Sequence, residues 1–126
     1  MKINIAKSAG FCFGVKRAVD TVYKESSKKN VYTFGPIIHN DEVVADLERQ
    51  GVHVINDSKE FKSLSEGTII IRSHGVSKAI YDEILNAGLD LVDATCPFVR
   101  KIHKIVERES GDGRVIIIIC NNHHPE

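Results

Sequence analysis

The sequence carries no excess of charge. Seventeen Lys and Arg are matched by 17 Asp and Glu, a formal net charge of zero over 126 residues. That balance argues against an extended nucleic-acid footprint and against a polybasic membrane surface. A phosphate group would have to be bound by a local pocket. Long apolar runs are lacking too: the longest, residues 115–120, falls far short of the roughly 20 residues of a membrane span. The amino terminus, MKINIAKSAG, is too polar for the apolar core of a signal peptide, so a cytoplasmic address is expected. Asn56-Asp57-Ser58 fits a glycosylation sequon, but without a secretory signal it is read as a chance match. Three cysteines, an odd number far apart in the chain, do not make a disulfide framework. In a reducing compartment each is a buried apolar thiol, a metal ligand or a nucleophile. There is no repeat or low-complexity tract. Neither a P-loop nor a Gly-x-Gly-x-x-Gly fingerprint occurs, so a nucleotide is not indicated.

What is present is a regular alternation of short β-branched runs with helical patterns. Residues 2–6 read as a first strand, followed by Val15, Ala18, Val19, Val22 and Tyr23 at the spacing of one helix face. Residues 31–34 read as a second strand. The segment 41–50 then turns Val43, Val44 and Leu47 inward, with Asn40 at the N-cap position and Gly51 after the end. Residues 52–55 and 68–72 are the next two strands, separated by a polar stretch, 59–64, with helical character. Ser77 caps a helix carrying Ile80, Ile84 and Ala87, closed by Gly88. Residues 89–92 form a fifth strand, and Pro97 opens a helix through Val99, Ile102 and Val106. A Gly111-Asp112-Gly113 turn leads into a sixth strand, 115–119. The expected fold is α/β, a mostly parallel sheet with helices on its faces. A sixth parallel strand with no helix behind it would be an exposed apolar edge, and a fragment of a longer protein is therefore expected.

In open α/β sheets ligands bind beyond the carboxyl ends of the strands. Cys12, His39, His74, Cys96, and the group His123, His124 and Glu126 follow five of the six expected strands, so all fall on one rim. His53 and His103 lie inside expected elements and are given no role. Taken singly, each of these residues has a bland reading: a buried thiol, a solvated imidazole, a terminal carboxylate. Their joint placement favours a functional one. Pro97 puts Cys96 at a helix N-cap, facing orphan amides and the positive end of the dipole, where the metal-binding thiolate form is favoured. Cys12 lies just before its own helix, between Gly10 and Gly14. Cys120 closes an apolar strand and is read as packing. Soft thiolates select zinc, copper(I) or iron–sulfur clusters. No close Cys-x-x-Cys or His pair of the zinc kind occurs, and ligands 84 residues apart suit a cluster at the centre of a larger fold. A third cysteine would come from beyond Glu126 or, less plausibly, be Cys120. His39, His74 and His124, with Ser73 and Asn40 nearby, suit an anionic group such as a phosphate.

Five motifs in this order resemble the LytB-type 4-hydroxy-3-methylbut-2-enyl diphosphate reductases: Gly10-Phe11-Cys12-Phe13-Gly14-Val15, Gly35-Pro36-Ile37-Ile38-His39-Asn40, Ser73-His74-Gly75-Val76, Asp93-Ala94-Thr95-Cys96-Pro97 and His124-Pro125-Glu126. That family is a trefoil of three α/β domains around one 4Fe-4S cluster, ending the non-mevalonate route of isoprenoid biosynthesis. The resemblance implies that Cys12 and Cys96 supply two cluster thiolates and that His39, His74 and His124 hold the substrate diphosphate. Glu126 would be the catalytic proton donor. The implied reaction is a two-electron, two-proton reductive dehydroxylation to isopentenyl and dimethylallyl diphosphate, with ferredoxin or flavodoxin as electron donor. Residues 1–96 would form the first domain, with 1–12 open to association with a third, and 97–126 would begin the second. The family's third cysteine, the Ser/Asn side of its diphosphate pocket and a threonine near the substrate hydroxyl lie downstream, so the chain alone is expected not to be a competent reductase. Asn121-Asn122-His123 is less typical before the last motif, which makes His124 the better match. Two other classes remain open from the residues: a non-catalytic phosphate- or metal-binding module, and a Cys–His nucleophilic enzyme built on Cys12 or Cys96.

Overall fold

The computed structural model describes residues 2–119; Cys120, His123, His124 and Glu126 lie outside the described residues. Helix α1 (Phe13–Glu25) precedes β1 (Val31–Phe34), and α2 (Asp41–Arg49) leads to β2 (Val52–Ile55). A 3-10 helix, Ser58–Ser63, connects to β3 (Thr68–Ile71); α3 (Lys78–Asn86) leads to β4 (Asp90–Asp93), and α4 (Pro97–Gly111) follows. The four strands form one all-parallel sheet in the order β2-β1-β3-β4. Register is direct: Thr33 pairs with Val54 on one side and Ile70 on the other, and Ile70 pairs with Val92.

The side-chain alternation of the strands sorts the core into two layers. Val31 and Ile70 face Ala18, Val19 and Val22 of α1 and Leu47 of α2. Ile69 and Ile71 face Phe61 and Ile84 on the opposite side, with Phe34 and Ile80 packed against them. Strand β3 is buried at all four residues, which explains why it reads as an unbroken Thr-Ile-Ile-Ile run instead of alternating with polar residues. Local chemistry fixes the helix starts. Asn40 Oδ1 accepts from Val43 N at 3.1 Å, and Asp41 and Glu42 complement the positive end of α2. Asp57 and Glu60 form a reciprocal capping box on the 3-10 helix.

Two expected strands are not strands. Residues 2–6 and 115–119 have the alternation or β-branching of strands, yet Ile5 is 82% and Ile119 95% exposed. A β-branched run becomes a strand only against a ladder partner and a surface to pack on, and neither segment has one among the described residues. Helix α4 also outlasts its expected end, running through Gly111 so that the turn begins at Asp112. Its Val99 is buried, while Phe98, Ile102 and Ile105 are exposed. Ser77 occupies the N-cap of α3 without a side-chain capping bond. No helix among the described residues is long and apolar enough to cross a membrane.

Ile70, fully buried at the centre of the sheet, tests this layering. Ile70→Ala in the full-length protein should cost about 2–5 kcal/mol of stability in urea denaturation; a loss below about 1 kcal/mol would contradict the central position of β3.

Candidate functional site

Strands β1 and β3 are neighbours, but their connections leave in opposite directions: β1 continues through α2 to β2, and β3 through α3 to β4. Right-handed crossovers then place α2 and α3 on opposite faces, and the two departing loops separate into a crevice at the carboxyl edge. His39 lies in the loop after β1 and His74 in the loop after β3. Their rings stack, with centroids 5.5 Å apart and planes inclined by 27°. His39 is exposed and His74 half-buried. The turn after His74 depends on Gly75, whose φ is 76° and where a methyl group would come within 2.8 Å of His103 Cε1.

Cys96 is joined to this pair through the backbone. The β3–β4 ladder continues past its last residues: Ala94 N donates to Ile71 O at 3.1 Å, and Cys96 N donates to Ser73 O at 2.8 Å. Cys96 therefore sits beside the residue that precedes His74. It is the N-cap of α4, with Pro97 at the first helical position, as its sequence predicts. Cys12 is the exposed N-cap of α1. The second residue of α1, Gly14, lies so close to Cys96 that a methyl group there would overlap Cys96 Sγ. Neither cysteine uses its sulfur as a helix cap. The expected strand before Cys12 is absent, but its helix alone delivers its backbone to the Cys96 loop.

A carboxylate organises the approach to Cys96. Asp93 Oδ1 accepts from Thr95 N at 2.8 Å, while Oδ2 accepts from Tyr81 OH at 2.6 Å and pairs with the Arg100 guanidinium at 2.6 Å. Burial pushes the Asp93 carboxyl upward, but hydrogen bonds from Thr95 and Tyr81 and the Arg100 charge outweigh it, and the group ends below its ordinary value. Burial first, then the bond to Asp93, pushes the Tyr81 phenol up to about 12. From the opposite side, Arg17 of α1 donates to Thr95 O at 3.0 Å and to Asp93 O at 3.4 Å.

The structure thus brings together His39, His74 and the Cys96 loop, and sets the first turn of the Cys12 helix against Cys96. His124, Glu126 and Cys120 fall outside the described residues. Of the two histidines given no role, His53 lies exposed on β2 near Tyr32, and His103 rests against Gly75. Sequence reasoning missed Asp93, Tyr81 and Arg17. Asp93 had a legible signal, since an Asp two residues before Thr95 can fold an Asx turn; Arg17 had none. Among the described residues no three His, Cys, Asp or Glu side chains converge as a metal-binding group. The two thiols nonetheless suit part of a soft-metal ligand set, because Gly14 leaves room for Cys96 Sγ and neither sulfur is spent on a cap.

Residues 3–126 match the family model described as LytB protein. The chain belongs to the LytB family. It is 51% identical over its whole length to the 4-hydroxy-3-methylbut-2-enyl diphosphate reductase of Thermoanaerobacter sp. (strain X514), covering 45% of that protein. To the enzyme of the same name from Geobacter sulfurreducens it is 45% identical, again over the whole chain and 44% of the relative. The chain thus spans a little under half the length of the curated LytB relatives it matches. Among solved structures, the E-1-hydroxy-2-methyl-but-2-enyl-4-diphosphate reductase of Plasmodium falciparum superposes with a TM-score of 0.85 at 33% identity, over 94% of this chain and 37% of that one. A structure described as the terminal enzyme of the non-mevalonate pathway superposes with a TM-score of 0.79 at 40% identity, over 98% and 43%. Both likenesses accord with the parallel α/β fold.

Asp93→Asn should lower stability by about 1–3 kcal/mol at neutral pH, through the loss of bonds to a charged acceptor. Because the folded carboxyl titrates below the ordinary 3.8, its stabilisation is present above that value and lost as pH falls through the lowered one. Urea titrations of the two proteins should therefore differ by a constant amount from neutral pH down to about 5 and converge in stronger acid.

Proposed function

We propose that this chain forms part of a 4-hydroxy-3-methylbut-2-enyl diphosphate reductase, an oxidoreductase that removes the allylic hydroxyl of its substrate. The observation carrying this reading is the His39–His74 stack at the crevice between β1 and β3, tied through Ser73 to Cys96. Relatives bearing that name align over the whole chain. Imidazole N–H groups of His39 and His74, together with His124, bind the diphosphate near the N-terminus of α2, where backbone amides favour an anion. Cys12 and Cys96 would supply two thiolate ligands to a 4Fe-4S cluster, with the remaining cysteine ligand coming from elsewhere in the full-length protein. A bound cluster would relay the two electrons singly from the external donor and supply Lewis acidity at the hydroxyl. Glu126 gives up the proton with which the hydroxyl leaves as water. The balance is substrate plus two electrons plus two protons, giving isopentenyl or dimethylallyl diphosphate and water.

Electrons come from a small redox protein of the ferredoxin or flavodoxin class, and the setting is the cytoplasm. Residues 1–96 make up a first α/β domain, and 97–126 open a second. The exposed Phe98, Ile102 and Ile105 on α4 support that division, because an isolated domain has little reason to leave such a face uncovered.

Serine at Cys12 or Cys96 of the full-length protein should abolish the visible iron–sulfur absorption after anaerobic reconstitution. His39→Ala and His74→Ala should keep it and raise KM about 10- to 100-fold, the worth of a hydrogen bond to a charged group. Glu126→Gln should keep cluster and KM but cut kcat by about 10²–10⁴. Cluster and full turnover in both cysteine variants would refute the ligand assignment. A colourless protein that instead bound stoichiometric zinc would refute the redox reading.

A further inference from the structure

Arg17 has no place in the reading above, yet its side chain spans the two cysteine-bearing segments. It lies on α1, five residues after Cys12. Its guanidinium crosses to the other segment and donates to two main-chain carbonyls, Thr95 O at 3.0 Å and Asp93 O at 3.4 Å, immediately before Cys96. The same carbonyl-bearing turn is held from its other side by the Asp93 carboxylate, which binds Thr95 N, Tyr81 and Arg100. Thr95 is thereby gripped at its N–H by Asp93 and at its C=O by Arg17. The Cys96 N–H is in turn held by Ser73 O. Gly14, one turn ahead of Arg17, is in contact with Cys96 itself.

We infer that Arg17 is a positioning residue that locks the N-terminus of the Cys12 helix onto the Cys96 loop, fixing the separation of the two thiols so that they can ligate one cluster. This rests on the iron–sulfur reading proposed above. The physical reason is specific to arginine. A planar guanidinium offers several N–H donors in a fixed fork and can serve two carbonyls of one turn at once, whereas a lysine ammonium acts as a point donor on a flexible stem. A hydrophobic residue would leave both carbonyls without this donor, and only the apolar packing of Ala18, Val19 and Val22 would then set where the first turn of α1 lies against the Cys96 loop. Partners that orient metal ligands without touching the metal typically cost about 10- to 100-fold in metal affinity or activity when removed.

The test uses the full-length protein carrying Arg17→Lys and Arg17→Met, reconstituted anaerobically beside Cys12→Ser and Cys96→Ser. Three quantities are read: the rate at which a chelator bleaches the cluster, the electron paramagnetic resonance spectrum of the reduced protein, and urea stability of the apoprotein. Arg17→Met should take up a cluster, lose it roughly 10-fold faster than the parent, and give an altered spectrum. Arg17→Lys should lie between the two. Bleaching should outrun unfolding in both variants. Parent-like bleaching and spectra would overturn the inference, as would cluster loss that merely tracks unfolding, or failure of both variants to fold. The cysteine variants separate the two ideas. If they retain the cluster, the underlying reading falls; if they lose it while the Arg17 variants behave as the parent, only the role of Arg17 falls.

Discussion

The adjacency of two parallel strands whose connections diverge governs the site. With β1 and β3 hydrogen-bonded side by side and their following helices sent to opposite faces, the loops that leave them cannot close over one another. The resulting crevice is a consequence of chain handedness, independent of which residues line it. Composition then decides its chemistry. One loop ends in His39 just before the Asn40 cap of α2, and the other presents His74 through a glycine turn that keeps it against its neighbour.

A second tier of interactions extends this crevice toward sulfur. The ladder between β3 and β4 persists into the loops, so the backbone of Cys96 is tied to Ser73 with the geometry of a sheet. Asp93 and Arg17 then clamp the intervening turn from opposite sides. Such a network is satisfied largely by main-chain groups, which fixes the loop's course without demanding large side chains near the crevice. The cost is a partly buried carboxylate, and that cost is met by three donors. Losing one of them leaves the Asp93 carboxylate underbonded, and an underbonded charge away from water is expensive. At the outer rim of the site, among the described residues, His39 and Cys12 are exposed.

Much of this is legible in the sequence itself. The strands at 31–34 and 52–55 begin and end where their β-branched and aromatic runs do, because such side chains suit a pleated, half-buried surface. The caps at Asn40 and Cys96 followed from local rules that hold regardless of tertiary context. The segments 2–6 and 115–119 misled for the complementary reason. Their composition suits a strand, but strand formation needs a partner, and sequence pattern is blind to whether one is nearby. Placing His39 and His74 on a shared rim was likewise accessible from connection rules, whereas their ring contact was not. Arg17 was invisible because it binds carbonyl oxygens, which every residue has, and no residue type in the partner segment announces the pairing. Asp93 lay within a motif read for its cysteine, and its own turn signal went unused.

The central claim is that one crevice edge gathers two imidazoles and two thiols around a common ligand volume. It is tested most directly by an anaerobic crystal structure of the full-length protein soaked with inorganic pyrophosphate. The account predicts Cys12 Sγ and Cys96 Sγ bound to the same cluster, with pyrophosphate oxygens about 2.7–3.2 Å from ring nitrogens of His39 and His74. Sulfurs directed to opposite sides of the sheet, or pyrophosphate lodged away from that histidine pair, would contradict it.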